Sequence, residues 1–137
     1  MTSFTISTEN IELFNKVKFG QDCSYILFGL SSDNSTVEFR GSGDKNHNFD
    51  DIKSELPEND VAIVIYDFKY ETSEVPPRKT SKLILIFWCP TLAPMKRRFT
   101  LNSAESKITT SFTGIQKSFN LTDYEEVNFD VITKELR

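Results

Sequence analysis

Three runs of apolar residues predict strands that are buried on both faces. The segments 25–30 ("YILFGL"), 60–68 ("DVAIVIYDF") and 82–88 ("KLILIFW") are apolar at successive positions instead of alternate ones. That pattern is typical of central strands that other elements cover on both sides of a sheet. The centre of the molecule is therefore predicted to be a sheet with packing on each face.

Polar segments that follow these runs predict two hairpins. Residues 31–35 ("SSDNS") form a turn signal, and residues 36–41 ("TVEFRG") fit the paired strand, with Val37 and Phe39 alternating with polar neighbours. The polar residues 69–81, which include two consecutive prolines, separate the second and third apolar runs. They predict a protruding hairpin loop.

Helical spacing of apolar residues predicts three short helices. Residues 7–17 begin with capping Ser and Thr side chains, and residues 48–57 ("NFDDIKSELP") stop at a proline. Near the C-terminus, a brief extended piece is predicted at 125–127. It is followed by a helix over 128–136 that Asn128 caps.

A longer helix is predicted after Pro94, which suits the first turn of a helix. Its apolar residues step by four, four, three and four positions: Ala104, Ile108, Phe112, Ile115 and Phe119. The preceding residues 100–103 are less regular and predict a bend. Strands and helices thus alternate, and the predicted fold class is α/β (α+β), a mixed central sheet of about five strands flanked by helices on both faces.

Length and composition fit a single domain over residues 1–137, with residues 1–6 as a flexible N-terminal arm. A chain of 137 residues that is 38% hydrophobic can bury about two thirds of the surface that it exposes when unfolded. No window approaches the roughly 20 consecutive apolar residues of a membrane span, and the N-terminus lacks a basic start and an apolar signal region. A soluble protein of the cytoplasm is therefore expected.

Few residues offer chemistry of their own. His47 lies in a polar turn without a carboxylate or Cys arrangement that would define a metal site. Cys89 directly follows an apolar run, and Cys23 lies two residues before one. No nucleophile elbow, phosphate-binding glycine loop or zinc motif is present in the sequence. The sequence therefore predicts a binding protein without cofactor, metal or enzyme activity, although a dyad assembled only in three dimensions stays open.

The charges are distributed unevenly along the chain. The net charge is −4, yet residues 76–104 hold six basic side chains and no acid, so this segment carries +6 and the remainder carries −10. The acidic remainder argues against general nucleic-acid binding, because it repels phosphate. A local basic patch on an acidic body instead favours docking to one acidic surface, either a protein or anionic lipid headgroups.

Lys96, Arg97 and Arg98 form a basic triplet in the first turns of the long predicted helix. Cations are disfavoured at that end, because they meet the positive pole of the helix dipole. Two interpretations remain open, a solvated polar face or a docking ridge. Met95 and Phe99 flank the triplet at i and i+4, which favours a ridge that buries apolar side chains while its cations meet an acidic rim.

Five segments, in order, resemble the ADF/cofilin family of actin-depolymerising factors almost from end to end. They are "YILFGL", "LPENDVAIVIYDFKYET", "SKLILIFWCPTLAPMKRRF", "TGIQ" and "YEEVNFDVITKEL". The run "FWCP-x-x-AP-x-K-x-R" resembles the family's junction between a strand and the long helix most closely. The resemblance implies the ADF-homology, or gelsolin-like, fold. It also implies binding to actin monomers and filaments, with a preference for the ADP state, and depolymerisation or severing of filaments.

The resemblance further implies two actin-binding surfaces. The N-terminal arm and the start of the long helix contact both monomers and filaments, through Thr2, Ser3, Phe4, Met95, Lys96, Arg98, Phe99 and Ser103. The hairpin loop and the last helix contact filaments alone, through Arg78, Lys79, Lys82, Lys134, Glu135 and Arg137. The family's regulatory phosphoserine aligns with Thr2, next to Ser3, which makes both residues candidate phosphorylation sites.

Two departures from the family pattern bear on affinity. The chain has Ser103-Ala104-Glu105 where the family often has Ser-Ser-Lys, and Lys134-Glu135 reverses the usual acid-then-base order. Within the same fold, the alternative is a non-severing relative, either a coactosin-like filament binder or a glia-maturation-factor-like debranching protein. The expected partners are actin and, through the basic segment, phosphatidylinositol 4,5-bisphosphate. The protein is expected to be a monomer associated with the cytoskeleton.

Overall fold

The structure is a computed structural model of the chain, and it describes residues 5–18, 25–43 and 49–136. Of the residues singled out above, several lie outside these ranges: Thr2, Ser3, Phe4, Cys23, His47 and Arg137. The predictions made for them remain predictions from the sequence.

A five-stranded mixed sheet forms the centre of the described part of the chain, in the order β2-β1-β3-β4-β5. Neighbouring strands are antiparallel except β4 and β5, which are parallel. The strands are β1 Tyr25–Leu30, β2 Val37–Gly43, β3 Ala62–Glu71, β4 Lys79–Trp88 and β5 Lys117–Leu121. The predicted mixed sheet of about five strands is confirmed.

The helices occupy both faces of this sheet, as the apolar runs predict. They are α1 Thr8–Lys18, α2 Met95–Ser111 and α3 Phe129–Leu136, with 3₁₀ helices at Phe49–Glu55 and Tyr124–Glu126. Because successive side chains of a strand point to opposite faces, β3 serves two cores at once. Ile63 and Ile65 pack with residues of α1 and α2, whereas Val64 and Tyr66 pack with the first 3₁₀ helix and α3.

The long helix is shorter than its apolar spacing predicts. α2 is continuous through residues 100–103, where the sequence predicts a bend, and it ends at Ser111. Gly114 then adopts a φ of +102°, a left-handed conformation that glycine enters without strain. Ile115 and Phe119 therefore do not continue the helical stripe, and Phe119 belongs to β5, which pairs with β4.

The extended piece predicted at 125–127 is also wrong. Tyr124–Glu126 is a 3₁₀ helix, and Asp123 begins it by accepting a hydrogen bond from the Glu125 backbone N–H at 3.0 Å. The fifth strand lies earlier, at Lys117–Leu121. The final helix is confirmed, because the Asn128 Oδ1 accepts hydrogen bonds from the backbone N–H groups at the start of α3.

The second hairpin has longer strands and a shorter loop than the sequence predicts. The ladder between β3 and β4 extends outward to the pair Glu71 and Lys79, which leaves residues 72–78 as the loop. In the first hairpin Val37 is buried, but Phe39 stays 45% exposed because β2 is an edge strand of the sheet. The outer half of the β3–β4 ladder exposes polar residues such as Lys69 and Glu71 on one face, while Phe68 and Tyr70 belong to the core on the other.

Candidate functional site

The start of α2 presents a ridge of exposed apolar side chains. Met95 is 76% exposed and Phe99 is 71% exposed, although large apolar residues are usually buried. Leu92, in the turn before the helix, is 64% exposed. Because residues four apart lie on the same face of a helix, Met95 and Phe99 form one continuous strip, and exposed Ser103 extends it by another turn.

Two of the three cations of the basic triplet border this ridge. Lys96 is exposed, and Arg98 is half-buried, with its Nε donating to the carbonyl oxygen of Ala93 at 3.1 Å. That bond fixes the Arg98 side chain over the turn that precedes the helix. The two residues that the resemblance assigns to basic contacts therefore lie beside the apolar strip.

The first turn of α2 has no electrostatic support of its own. The N-cap residue is Pro94, which provides no side-chain cap, and the turn contains no acidic residue. Side-chain caps and acids are the groups that stabilise this end of a helix, whereas cations oppose its dipole. The helix start is consequently held by contacts made from outside the helix.

Arg97, the third cation, provides such contacts. Its Nε and Nη2 donate to the two carboxylate oxygens of Asp60 at 3.0 and 2.9 Å. Burial alone would raise the pKa of Asp60, but the hydrogen bonds and charge of Arg97 outweigh this effect and lower it. The Arg97 side chain is only 16% exposed, so the triplet does not present three equivalent charges to solvent.

Glu105 stands where the family pattern often has a lysine. Its carboxylate is partly removed from solvent, which disfavours the charged form. Its Oε1 is buried and lacks a hydrogen-bond partner. Burial raises the pKa of Glu105, and burial together with the Glu105 charge raises the pKa of the half-buried Cys89 thiol. A partly buried anion thus lies farther along the helix that carries the cations.

A second candidate surface lies where the outer half of the β3–β4 hairpin faces α3. The two elements enclose a groove of about 630 Å³. Its walls are formed by Lys69, Tyr70, Glu71, Lys79, Thr80, Ser81, Phe129 and Thr133. The hairpin and the last helix, which the resemblance assigns to one filament surface, are therefore adjacent.

The predicted filament residues occupy this region in different ways. Arg78 lies in the loop and forms an ion pair with Glu74 at 2.7 Å, both side chains being well exposed. Lys79 and Lys82 belong to β4, and only Lys79 lines the groove. Lys134 and Glu135 are exposed residues of α3 that do not line the groove.

The residues that the sequence interpretation missed are exposed apolar side chains beside both surfaces. Leu92 extends the ridge of α2, and Phe129 and Val131, 39% and 46% exposed, lie at the start of α3. Leu92 was discoverable in principle, since a leucine in a turn between Pro90 and Pro94 has no regular element to bury it. The exposure of Phe129 and Val131 depends on how α3 rotates against the sheet, which periodicity does not determine.

The described residues supply no obvious site for a metal. Across residues 5–18, 25–43 and 49–136, no three His, Cys, Asp or Glu side chains are grouped so that they could hold an ion. Within the same ranges, none of the helices has the length and apolar character that crossing a bilayer requires. The two surfaces described above are therefore the candidate sites that the fold offers.

An exposed helix start that combines apolar and basic side chains is typical of a protein-binding domain. Residues 3–137 match the family model described as cofilin/tropomyosin-type actin-binding protein, and the chain belongs to that family. The family is one of actin-binding proteins, so binding of actin is the activity that membership establishes.

Individual relatives agree with this assignment. Actophorin of Acanthamoeba castellanii is 28% identical over 137 residues, which span 100% of this chain and 97% of actophorin. The crystal structure of Streptomyces griseoflavus cofilin superposes with a TM-score of 0.85 at 26% identity, over 97% of this chain and 96% of that one. Human coactosin-like protein has a TM-score of 0.81 over 100% and 90% of the two chains, but at 18% identity it shows the fold alone.

Proposed function

We propose that this protein binds both actin monomers and actin filaments and promotes filament severing and depolymerisation. The observation that carries the proposal is the exposed strip of Met95 and Phe99 at the start of α2, bordered by Lys96 and Arg98. Apolar side chains at the centre of an interface supply much of its binding energy, and surrounding charges contribute specificity and association rate. Membership of a family of actin-binding proteins supports actin as the partner of this strip.

Filament binding is supported by the second surface. The outer β3–β4 ladder extends to Glu71 and Lys79 and places basic residues next to α3, across a groove with an apolar floor at Tyr70 and Phe129. A ligand shifts a conformational equilibrium only by the difference between its affinities for the two states. If the protein prefers a twisted filament, strain at boundaries between decorated and bare segments promotes breakage.

The test of this proposal removes the two cations that border the strip. Lys96→Ala combined with Arg98→Ala is expected to weaken filament co-sedimentation by at least about tenfold, equivalent to ~1.4 kcal/mol, and to abolish severing in single-filament imaging. Lys16→Ala combined with Lys117→Ala removes the same charge from exposed positions elsewhere and is the matched control. Unchanged binding and severing in the first variant would refute the assignment of this surface.

The alternative is a non-severing relative, either a coactosin-like filament binder or a glia-maturation-factor-like debranching protein. Glu105 and the Lys134-Glu135 order are the features that favour it, because both depart from the family pattern at predicted contacts. Monomer binding distinguishes the two functions. Slowed nucleotide exchange on actin monomers supports the proposed function, whereas filament binding without that effect supports the alternative.

Further parts of the proposal concern regulation and location. The basic segment 76–104 on an acidic body is suited to phosphatidylinositol 4,5-bisphosphate, which would then compete with actin. Phosphate on Thr2 or Ser3 would add negative charge to an arm that approaches an acidic partner and would weaken binding. The protein would act as a cytoplasmic monomer on the cytoskeleton. Vesicle co-sedimentation that is insensitive to the phosphoinositide content would contradict the lipid interaction.

A further inference from the structure

Arg97 lies in the sequence between two proposed actin contacts but is turned into the molecule. A guanidinium group has five N–H donors, and all five are used. Nε and Nη2 donate to Asp60, Nη1 donates to the carbonyl oxygen of Ser31 at 2.6 Å and to Asn34 Oδ1 at 3.1 Å, and Nη2 also donates to the carbonyl oxygen of Leu30 at 3.1 Å. The group has no donor left for a partner protein.

Two of the four acceptor groups, the Ser31 carbonyl and the Asn34 amide oxygen, belong to a turn whose own hydrogen bonds do not involve Arg97. Ser31 donates its hydroxyl to Asp33 Oδ1 at 2.7 Å, and the Ser35 hydroxyl donates to the same oxygen at 2.6 Å. These hydrogen bonds lower the pKa of Asp33 to about 2. Asn34 has a φ of 62°, in the left-handed region, and its side-chain amide oxygen accepts from Arg97 Nη1. The turn between β1 and β2 is thus a formed receptor for the guanidinium.

This receptor compensates for the weakness of the helix start. The first turn of α2 lacks a side-chain cap and an acidic residue, and it carries three cations near the positive pole of the helix dipole. Those features oppose an ordered first turn at the place where Met95, Lys96 and Phe99 must be held. Arg97 joins that turn to the β1–β2 turn and, through Asp60, to the residues that precede β3.

We propose that Arg97 is a positioning residue for actin binding: it holds the first turn of α2 in the geometry that its neighbours need, and it makes no contact with actin itself. This inference rests on the proposed function of the α2 surface. Binding energy is lost when the interacting groups must be ordered during association. Loss of Arg97 therefore weakens binding by loosening the ridge of Met95 and Phe99.

The salt dependence of binding distinguishes a residue that positions the helix from one whose charge contacts actin. Lys96 is exposed, so its contribution to affinity is screened by salt. The charge of Arg97 is balanced by Asp60, so replacing both residues together removes no net charge and should leave the salt dependence unchanged. A contact residue and a positioning residue thus differ in a measurement that is independent of the size of the affinity loss.

The experiment measures the affinity of the full chain for actin monomers over a series of ionic strengths. Arg97→Gln, which removes the fork of donors, is expected to lower affinity about tenfold, or ~1.4 kcal/mol. Arg97→Gln combined with Asp60→Asn, which leaves the net charge as in wild type, is expected to lower affinity with the wild-type salt dependence. Arg97→Lys keeps the charge but cannot reach all four groups, so the affinity for actin is also expected to fall. Lys96→Gln is expected to lower affinity and to flatten the salt dependence.

Two further variants separate positioning from general destabilisation. Ile52→Val shortens a buried side chain on the opposite face of the sheet and is expected to lower stability while leaving actin affinity unchanged. Asn34→Gly permits the same φ but removes one acceptor of Arg97, and it is expected to lower affinity by a smaller factor than Arg97→Gln. Asn34→Gly also provides the test if Arg97→Gln does not fold.

The possible outcomes separate this inference from the proposed function. Wild-type affinity in Arg97→Gln, or in Asn34→Gly where Arg97→Gln does not fold, overturns the positioning role. A flattened salt dependence in the charge-balanced variant, Arg97→Gln combined with Asp60→Asn, overturns it as well, since Arg97 would then be a direct contact. If Lys96→Gln also binds as wild type, the proposed α2 surface has failed, whereas an effect of Lys96→Gln without one of Arg97→Gln refutes only the inference.

Discussion

At the scale of single residues, Glu105 shows how one carboxylate links stability to pH. Burial raises its pKa above the usual value of 4.5, so the folded protein binds a proton there more tightly than the unfolded chain does. The favourable contribution of the protonated form is present at low pH and is lost as the pH rises through the folded-state pKa. At neutral pH the charged form, with Oε1 unpartnered, lowers the free energy of unfolding.

Glu105→Gln is therefore expected to stabilise the protein at pH 7. The neutral amide removes the cost of burying a charge, and the gain should be small because the side chain is only partly buried. Urea unfolding of both proteins at several pH values measures it. The gain should disappear below pH 4.5, where the wild-type side chain is protonated in both states.

Glu12→Gln, at an exposed position of α1, is the control and should change stability little at any pH. An equal gain at pH 7 and at low pH would show that the charge of Glu105 is not the cause. Ionisation of the Cys89 thiol, followed by its ultraviolet absorbance, is a second readout, because the Glu105 charge contributes to raising the pKa of that thiol. In Glu105→Gln the thiol should ionise at a lower pH.

At the scale of elements, the packing of α3 contains one unfavourable group. Thr133 is only 5% exposed, and its hydroxyl oxygen has no hydrogen-bond partner. Thr133 lines the groove beside the hairpin, so this hydroxyl belongs to the wall of the proposed filament surface. A buried hydroxyl without a partner costs about 1–3 kcal/mol relative to a paired one.

Thr133→Val is expected to raise the free energy of unfolding by about 1 kcal/mol, because a methyl group of the same shape replaces the unpartnered hydroxyl. Thermal and urea unfolding measure the change. Thr109→Val, at an exposed position of α2, makes the same replacement in solvent and should stay within about 0.5 kcal/mol of wild type. Destabilisation by Thr133→Val would mean that the hydroxyl has a partner, such as a water, in solution.

The elements also show which signals the sequence contains. The double-sided strands β1, β3 and β4 were predictable because continuous apolar runs require cover on both faces. The end of α2 was not found from spacing, because Phe119 of β5 happens to continue the helical period of the residues before it. Gly114 was the better sequence signal for the end of α2, because helices commonly end near a glycine in the left-handed conformation. Gly114 has such a positive φ.

The site at the start of α2 was predictable from the sequence only in part. The residue types at Met95, Lys96, Arg98 and Phe99 indicate an apolar and basic surface, and their helical spacing places them near one another. Nothing in the sequence distinguishes Arg97 from its basic neighbours. Its role depends on Asp60 and on the turn at Asn34, which are 37 and 63 residues away in the chain.

At the scale of the whole molecule, the acidic side chains lie outside the segment that holds the basic cluster. Residues 76–104 carry +6 in the sequence, but Arg78 pairs with Glu74 and Arg97 pairs with Asp60. Each pairing offsets the field of one of these cations, in an exposed pair at Arg78 and in a mostly buried one at Arg97. The charge that steers a partner therefore comes mainly from the start of α2 and from β4, so both candidate surfaces share an attraction to acidic partners.

The two surfaces together lead to a specific expectation for filaments. Breakage at boundaries between decorated and bare segments requires that both kinds of segment be present on one filament. Severing should therefore be greatest at partial occupancy and should decline as the filament becomes fully decorated. A protein that only decorates filaments produces no such maximum.

The most direct test is the severing frequency per unit filament length as a function of protein concentration, measured by single-filament imaging. We predict a frequency that rises, passes through a maximum at partial occupancy and falls near saturation, and that is lost when both Lys96 and Arg98 are replaced by alanine. Filaments that become fully decorated without breaking at any concentration would contradict the proposed severing function.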